Sequence, residues 1–429
     1  MAVALNGLSA VEAAKRISEG GLSSEALVRA CLDRIAAREP EVSAWSFLDA
    51  EAALTQARQC DVSRPVGPLH GVPVGIKDVI DVCGMPTGMG SPIYKDYRPF
   101  ADASCVAALR AAGAVILGKT VTAEFAGVTP GSTRNPIALS RTPGGSSSGS
   151  AAAVADNMVP LAFGTQTGGS ILRPASYCGV VGFKPSYNTV NRAGLKFAAE
   201  SFDTIGPMAR TVADVALIWR ILVGQDAGET RTASRSLRFA LFRTQHWHRA
   251  SVETAEAMRT VADRLMSRGA AIEEIPVPKG FEELTEARKV INNYERARAL
   301  AWEWQHHRDQ ISQALAAVVT DGMSIPYDKY SRATKTVEHW RAWLGNAMNG
   351  YDALLTPSAD GEAPQGLGST GSAAFQENWT MLHAPSISLP LCTGPNGLPV
   401  GVQLVGKLHG DDALLNVAQW VMQAASDQA

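Results

Sequence analysis

Charge is scarce in this sequence. Only 19% of its 429 residues are Asp, Glu, Lys or Arg, and 39 basic against 41 acidic side chains leave a formal net charge of −2. With no basic cluster of five or more, the chain lacks the long-range pull that draws proteins to nucleic acid or anionic membranes, and a small molecule becomes the default partner. No apolar run reaches ~18 residues, so no membrane-spanning helix is predicted. The cysteines Cys31, Cys60, Cys83, Cys105, Cys178 and Cys392 are scattered, with no C-x-x-C pair, and the opening "MAVALNGLSAVEAAKRI" carries no signal-peptide pattern. That usage points to a reducing cytoplasm. Histidines cluster only as "HWH" at 246–248 and "HH" at 306–307, without further ligands at metal spacing, so no metal and no other cofactor is expected.

What is present is apolar material: 46% hydrophobic residues supply a large core, and no repeat or low-complexity linker divides the chain. One domain over residues 1–429 is the expectation, with a helical N-terminal edge over 1–60 and a variable helical region at about 225–345. "SAVEAAKRISEG" opens on Ser9, a capping candidate, and "SSEALVRACLDRIAARE" repeats the pattern before an amphipathic run. From residue 71, short apolar runs closed by Gly or Pro alternate with helical stretches, as in "GVPVGIKD", "MVPLAFGTQTGGS" and "CGVVGFKPS". Residues 211–225 and roughly 250–345 read as helical again, and "ALLTP", "SISLPL" and "GVQLVG" complete the strands. The pattern predicts an α/β fold: a large mixed β-sheet with helices on both faces.

The stretch "TPGGSSSGSAAAVADNM" at 142–158 admits several readings. By composition it is a flexible spacer, although it sits between two strand candidates and leads straight into a helix. A phosphate-binding loop would need a Lys then Ser or Thr after its glycines, and there is none. Gly145, Ser147 and Gly149 fit G-x-S-x-G, but the downstream histidines His339, His383 and His409 stand in ordinary contexts for a triad. The remaining reading joins the tract to two other segments. Lys77 in "GIKD" directly follows an apolar strand, where desolvation drives an ammonium toward the neutral, basic amine. Ser170 in "GTQTGGSILRPAS" follows two glycines, so the backbone N–H groups of Thr167, Gly168, Gly169 and Ser170 can converge on a carbonyl oxygen as an oxyanion hole.

Lys77 in "GIKD", "GGSSSGSAAAVA", "GTQTGGSILRPAS", "FDTIGPMARTVAD" and "GLPVGVQLVG" together resemble the amidase signature family of serine amidohydrolases, from "LSSEALVRACLDRI" to the last strand. Within it, "GTQTGGS" followed by Arg173 and "YCG" is most similar to compact stand-alone bacterial amidases such as malonamidase. The resemblance implies a Ser–cis-Ser–Lys triad. Ser170 is then the nucleophile, Ser146 the proton relay after a cis Gly145–Ser146 peptide, and Lys77 the base, with water resolving an acyl-enzyme. Arg173 matches a position that binds the substrate carboxylate in malonamidase; a structural arginine bridging the following helix is the other reading. Ser147, Ser148, Thr167, Asp203 and Glu124 are expected as scaffold. Gln166 stands where many members carry Asp.

The implied function is hydrolysis of the C–N bond of a small-molecule amide, with carbamates (urethanes), aryl amides and esters offering the same electrophilic carbonyl. A carbamate hydrolase as the main activity is one alternative; the glutaminase component of a tRNA-dependent amidotransferase is another. The partner expected is a small amide or carbamate, not nucleic acid or membrane, and a homodimer is left open. Specificity is expected from residues 225–345, "PTGMGSPIY" at 86–94 and "NWTMLHAP" at 378–385.

Overall fold

The computed structural model describes residues 4–226, 228 and 236–426, so residues 227 and 229–235 of the expected variable region lie outside it, as do the first three of the opening segment. Eleven strands join in one sheet: β1 (Trp45–Leu48), β2 (Pro73–Lys77), β3 (Val115–Thr120), β4 (Leu161–Gln166), β5 (Val181–Lys184), β6 (Thr204–Ala209), β7 (Arg238–Leu241), β8 (Ala271–Glu274), β9 (Ala353–Pro357), β10 (Ser386–Thr393) and β11 (Pro399–Val405). Their order is β1-β3-β2-β4-β6-β5-β10-β11-β9-β7-β8. Two parallel wings, β3-β2-β4 and β9-β7-β8, flank an antiparallel centre, which makes the sheet mixed as the alternation of elements predicts. Strands β2 to β6 are buried along their whole length. A strand buried at every residue has both faces covered, which explains why these segments read as continuous apolar runs rather than alternating ones.

Two expectations fail at the sheet edges. The N-terminal sixty residues are helical over Ala10–Ser18, Ser24–Val42 and Ala50–Val62, but β1 lies between the second and third helices and pairs antiparallel with β3. The helical region at 250–345 contains β8, parallel to β7. Both are four-residue strands with little or no buried face, too short for a period of two to stand out. The capping expectation holds: Glu12 N donates to Ser9 Oγ at 3.1 Å, and Ala26 N to Ser23 Oγ at 3.1 Å. Among the described residues no helix is long and apolar enough to cross a membrane.

The Gly/Ser tract is no spacer. Residues 142–154 are all buried, and Ser148–Ala155 form a helix wedged against the sheet. The hydroxyls of Ser147, Ser148 and Ser150 are bonded to strands or to the segment just beyond one. Ser150 Oγ donates to Phe163 O at 2.7 Å and lies 2.7 Å from Thr120 Oγ1, while Ser148 Oγ donates to Val121 O at 3.4 Å. Ser147 Oγ donates to Thr165 O and accepts from Thr165 N, both at 3.2 Å. That double engagement removes Ser147 as the nucleophile of a G-x-S-x-G elbow. Gly149 admits the close approach, because a Cβ there would sit 2.2 Å from Ala44 O and 2.4 Å from Val121 N, both backbone atoms that cannot swing away. Gly149→Ala is therefore expected to lower stability by about 3 kcal/mol or more through forced separation of helix and sheet. Chemical denaturation measures it, and an unchanged midpoint would contradict the contact.

Candidate active site

The parallel pair β2 and β4 ends at one level of the sheet, and the site forms just beyond their carboxyl ends, where α/β sheets leave a crevice. Lys77 is the last residue of β2 and is fully buried. Its Nζ lies 2.7 Å from Ser146 Oγ, 2.7 Å from Thr165 Oγ1 and 3.4 Å from Thr165 O. Burial holds its pKa well below the usual lysine value; Asp203 works against that shift, while Arg173 and Arg296 add to it.

Ser146 is carried into reach of the lysine by a sharp turn. Gly144 has φ 83°, and a Cβ there would meet Pro174 Cα at 2.8 Å, so both conformation and space demand glycine. The Gly145–Ser146 peptide is cis. The turn is held from three sides: Ala123 N donates to Ser146 O at 3.0 Å, Ser147 N to Ser170 O at 3.3 Å, and Arg173 Nη2 to Gly145 O at 2.6 Å.

Ser170 sits on the turn between β4 and the helix Leu172–Cys178. Gln166 organises this turn. Its Oε1 accepts from Ile171 N at 2.9 Å and Leu172 N at 3.0 Å, and its Nε2 donates to Thr380 Oγ1 at 2.9 Å. Thr380 Oγ1 in turn donates to Gly168 O at 2.7 Å, turning that carbonyl away. Among the described residues, the N–H groups of Thr167, Gly168, Gly169 and Ser170 meet no protein acceptor, so four consecutive donors remain available. Thr167 Oγ1 donates to Asp203 Oδ1, and Asp203 Oδ2 accepts from Ala198 N and Ala199 N, which anchors the turn to its neighbour.

The structure thus brings Lys77, Ser146 and the backbone of Ser170 together. Ser170 lines a cleft of about 460 Å³, whereas Ser146 and Lys77 stand behind it. Arg173 also borders the cleft; its Nη2 reaches Gly145 O and, at 3.1 Å, Thr370 Oγ1, while its buried Nε has no protein partner. Burial lowers its pKa to about 10. Glu124 accepts from Ser312 N at 3.0 Å, consistent with scaffold.

The cleft walls follow the sequence expectation only in part. The far side is the helix Glu283–Ala299, within the region expected to carry specificity, which contributes Arg288 and Arg296. Glu377 and His246 complete a charged rim, with Glu377 Oε2 3.2 Å from Arg288 Nε and Oε1 3.6 Å from His246 Nε2. Nothing in the sequence marks either as a cleft residue. The segment at 86–94 does not line the cleft; Lys119 pins it to the sheet through Pro86 O at 3.1 Å and Thr87 Oγ1 at 2.8 Å. Residues 378–385 stand behind the turn that carries Ser170, with Thr380 as their contribution, and do not line the cleft either.

Comparison with known proteins shows the family to which the chain belongs. The family model "Amidase" matches residues 26–415. A glutamyl-tRNA(Gln) amidotransferase subunit from Roseiflexus castenholzii is 35% identical over 96% of this chain and 94% of its own length. The peptide amidase of Stenotrophomonas maltophilia superposes with a TM-score of 0.83 at 29% identity, covering 97% of this chain and 96% of that one. A 6-aminohexanoate cyclic dimer hydrolase superposes with a TM-score of 0.88 at 26% identity, covering 99% and 98%. The chain belongs to the amidase family and is a hydrolase acting on C–N bonds.

Proposed function

We propose that this protein hydrolyses a small-molecule amide through a seryl acyl-enzyme, with Ser170 as nucleophile, Ser146 as relay and Lys77 as base. The observation that carries the reading is the buried 2.7 Å contact between Lys77 Nζ and Ser146 Oγ. A neutral amine has two N–H donors and one lone pair. The two acceptors on Thr165 match the donors and leave the lone pair facing the Ser146 hydroxyl. Ser146 passes its proton to Lys77 as it takes one from Ser170 Oγ, whose oxygen bonds to the substrate carbonyl carbon. The carbonyl oxygen becomes negative and is held by the free N–H groups of residues 167–170. The proton returns through Ser146 to the departing nitrogen as the C–N bond breaks, and water, activated by the same pair, cleaves the ester and frees Ser170. Arg173 braces the relay turn through Gly145 O and Thr370 Oγ1, and adds positive potential at the cleft.

Ser170→Ala is expected to abolish ammonia release from a small amide in an otherwise folded protein. Ser146→Ala and Lys77→Ala should each lower kcat by about 10²- to 10⁴-fold, the usual worth of proton transfer. Near wild-type turnover in Ser170→Ala sinks the mechanism.

The depressed lysine fixes the sign of the pH dependence. As pH falls through the folded pKa of Lys77, Nζ takes up a proton and loses the lone pair, so kcat/KM falls on the acid side with a midpoint well below 10.5. The same shift makes the lysine a stability cost at neutral pH, since the unfolded chain binds a proton that the folded chain resists. That cost diminishes as pH rises toward the unfolded value. Lys77→Met should therefore lose activity while keeping or raising its thermal midpoint at pH 7. A variant that is inactive because it is destabilised would argue for a structural lysine.

The similarity to tRNA-dependent amidotransferase components favours one second reading, a glutaminase acting within a complex. The two separate on one measurement with the purified protein: ammonia released from simple amides by the chain alone supports the stand-alone amidase. Release from glutamine only after a companion protein is added supports the glutaminase.

A further inference from the structure

Thr380 does not line the cleft, yet it fixes one peptide of the turn that carries Ser170. It is buried on the short helix Glu377–Met381, whereas Gly168 and Gly169 border the cleft. Its Oγ1 accepts from Gln166 Nε2 at 2.9 Å and has two carbonyls within reach of its own proton, Gly168 O at 2.7 Å and Gln376 O at 3.4 Å. A hydroxyl has one proton to give. Because Gln166 presents a donor to Thr380, the proton cannot go back to Gln166, and the nearer carbonyl, Gly168 O, takes it. Gln166 is itself held in that orientation, since its Oε1 accepts from Ile171 N and Leu172 N and leaves the NH2 end for Thr380.

A peptide plane converts that bond into a direction for its other end. The Gly168–Gly169 peptide is trans, so its N–H points opposite to its C=O. With Gly168 O drawn back toward Thr380, Gly169 N–H is directed to the cleft side, and among the described residues it meets no protein acceptor. Rotating this plane changes only the torsions of two glycines, which side-chain sterics do not restrain, so a hydrogen bond has to set it. We propose that Thr380 is a positioning residue for the reaction: through Gly168 O it aims Gly169 N–H at the substrate carbonyl oxygen, and the Gln166 amide in turn aims the Thr380 hydroxyl. This rests on the Ser170 reading above for what the N–H faces. A carboxylate in place of the Gln166 amide would itself accept the Thr380 proton and leave Gly168 O without it.

Crystal structures of variants, read together with kinetics on acetamide, test it. Thr380→Val keeps the shape of the side chain and removes its proton. Its structure is expected to show the Gly168–Gly169 plane rotated, with Gly168 O turned away from residue 380. Its kcat should fall about 10- to 100-fold, less than the ~10²- to 10³-fold of a donor removed outright, because the N–H is misaimed rather than lost. KM should stay nearly unchanged, as for an interaction made only in the transition state. Thr380→Ser returns the hydroxyl without the methyl group and should recover most of kcat, which a role in packing alone would not give. Gln166→Glu is the second variant should Thr380→Val not fold; it keeps acceptors for Ile171 and Leu172, and its structure should show Thr380 Oγ1 closed on the introduced carboxylate and the same rotated plane. An unmoved plane in either variant, wild-type kcat in folded Thr380→Val, or no recovery in Thr380→Ser overturns the inference. Ser170→Ala separates it from the reading on which it rests. Wild-type turnover there overturns both, whereas an inactive Ser170→Ala beside a Thr380→Val of wild-type kcat overturns the role of Thr380 alone.

Discussion

Burying a lysine amine where water does not reach is the constraint on which the rest of this structure depends. An ammonium ion in that position costs several kcal/mol of lost hydration, and that cost holds the pKa of Lys77 well below the usual lysine value. Everything around Lys77 serves that outcome. Strand β2 delivers it from a fully buried run, Thr165 occupies its donors without offering a negative charge, and two arginines push in the same direction as burial. The one opposing carboxylate, Asp203, is engaged by Thr167 and two backbone amides. The depressed pKa of Lys77 is thus a product of the core rather than of a chemical peculiarity of the cleft.

The same economy explains how a tract composed of glycine and serine becomes rigid. Such residues offer little apolar area, so hydrophobic packing cannot hold them. Here the hydroxyls of Ser147, Ser148 and Ser150 act as pegs into the backbone of β4 and of the segment at and beyond β3, and the missing side chains of Gly144 and Gly149 let main chains approach one another. With three serines committed to structure, Ser146 is the one of the tract that contacts the lysine.

What the sequence made legible follows from distance along the chain. Lys77, Ser146 and Ser170 each sit in a short segment whose glycines and apolar neighbours already state its local geometry, and the mixed sheet shows itself in the runs from residue 71 onward. The cleft walls are different. Arg288 and Arg296 lie on a helix with an ordinary amphipathic pattern, and Glu377 on a five-residue helix; nothing in their neighbours says that they will face a turn more than a hundred residues earlier. Arg173 is ambiguous in sequence for a related reason, since one guanidinium both braces a loop and borders a cavity. The edge strands β1 and β8 are hidden because four residues carry no resolvable period.

Gln166 has a consequence beyond its hydrogen bonds. Its amide lies beneath the turn that carries the unpartnered N–H groups of residues 167–170, accepting from Ile171 and Leu172 as a carboxylate would. A carboxylate there would also set a full negative charge at the turn, and in a buried position that charge would be felt strongly. The neutral amide supplies the geometry without the field. Gln166 thus orders the start of the helix after Ser170 without adding a charge of its own to those already present in Asp203 and Glu377.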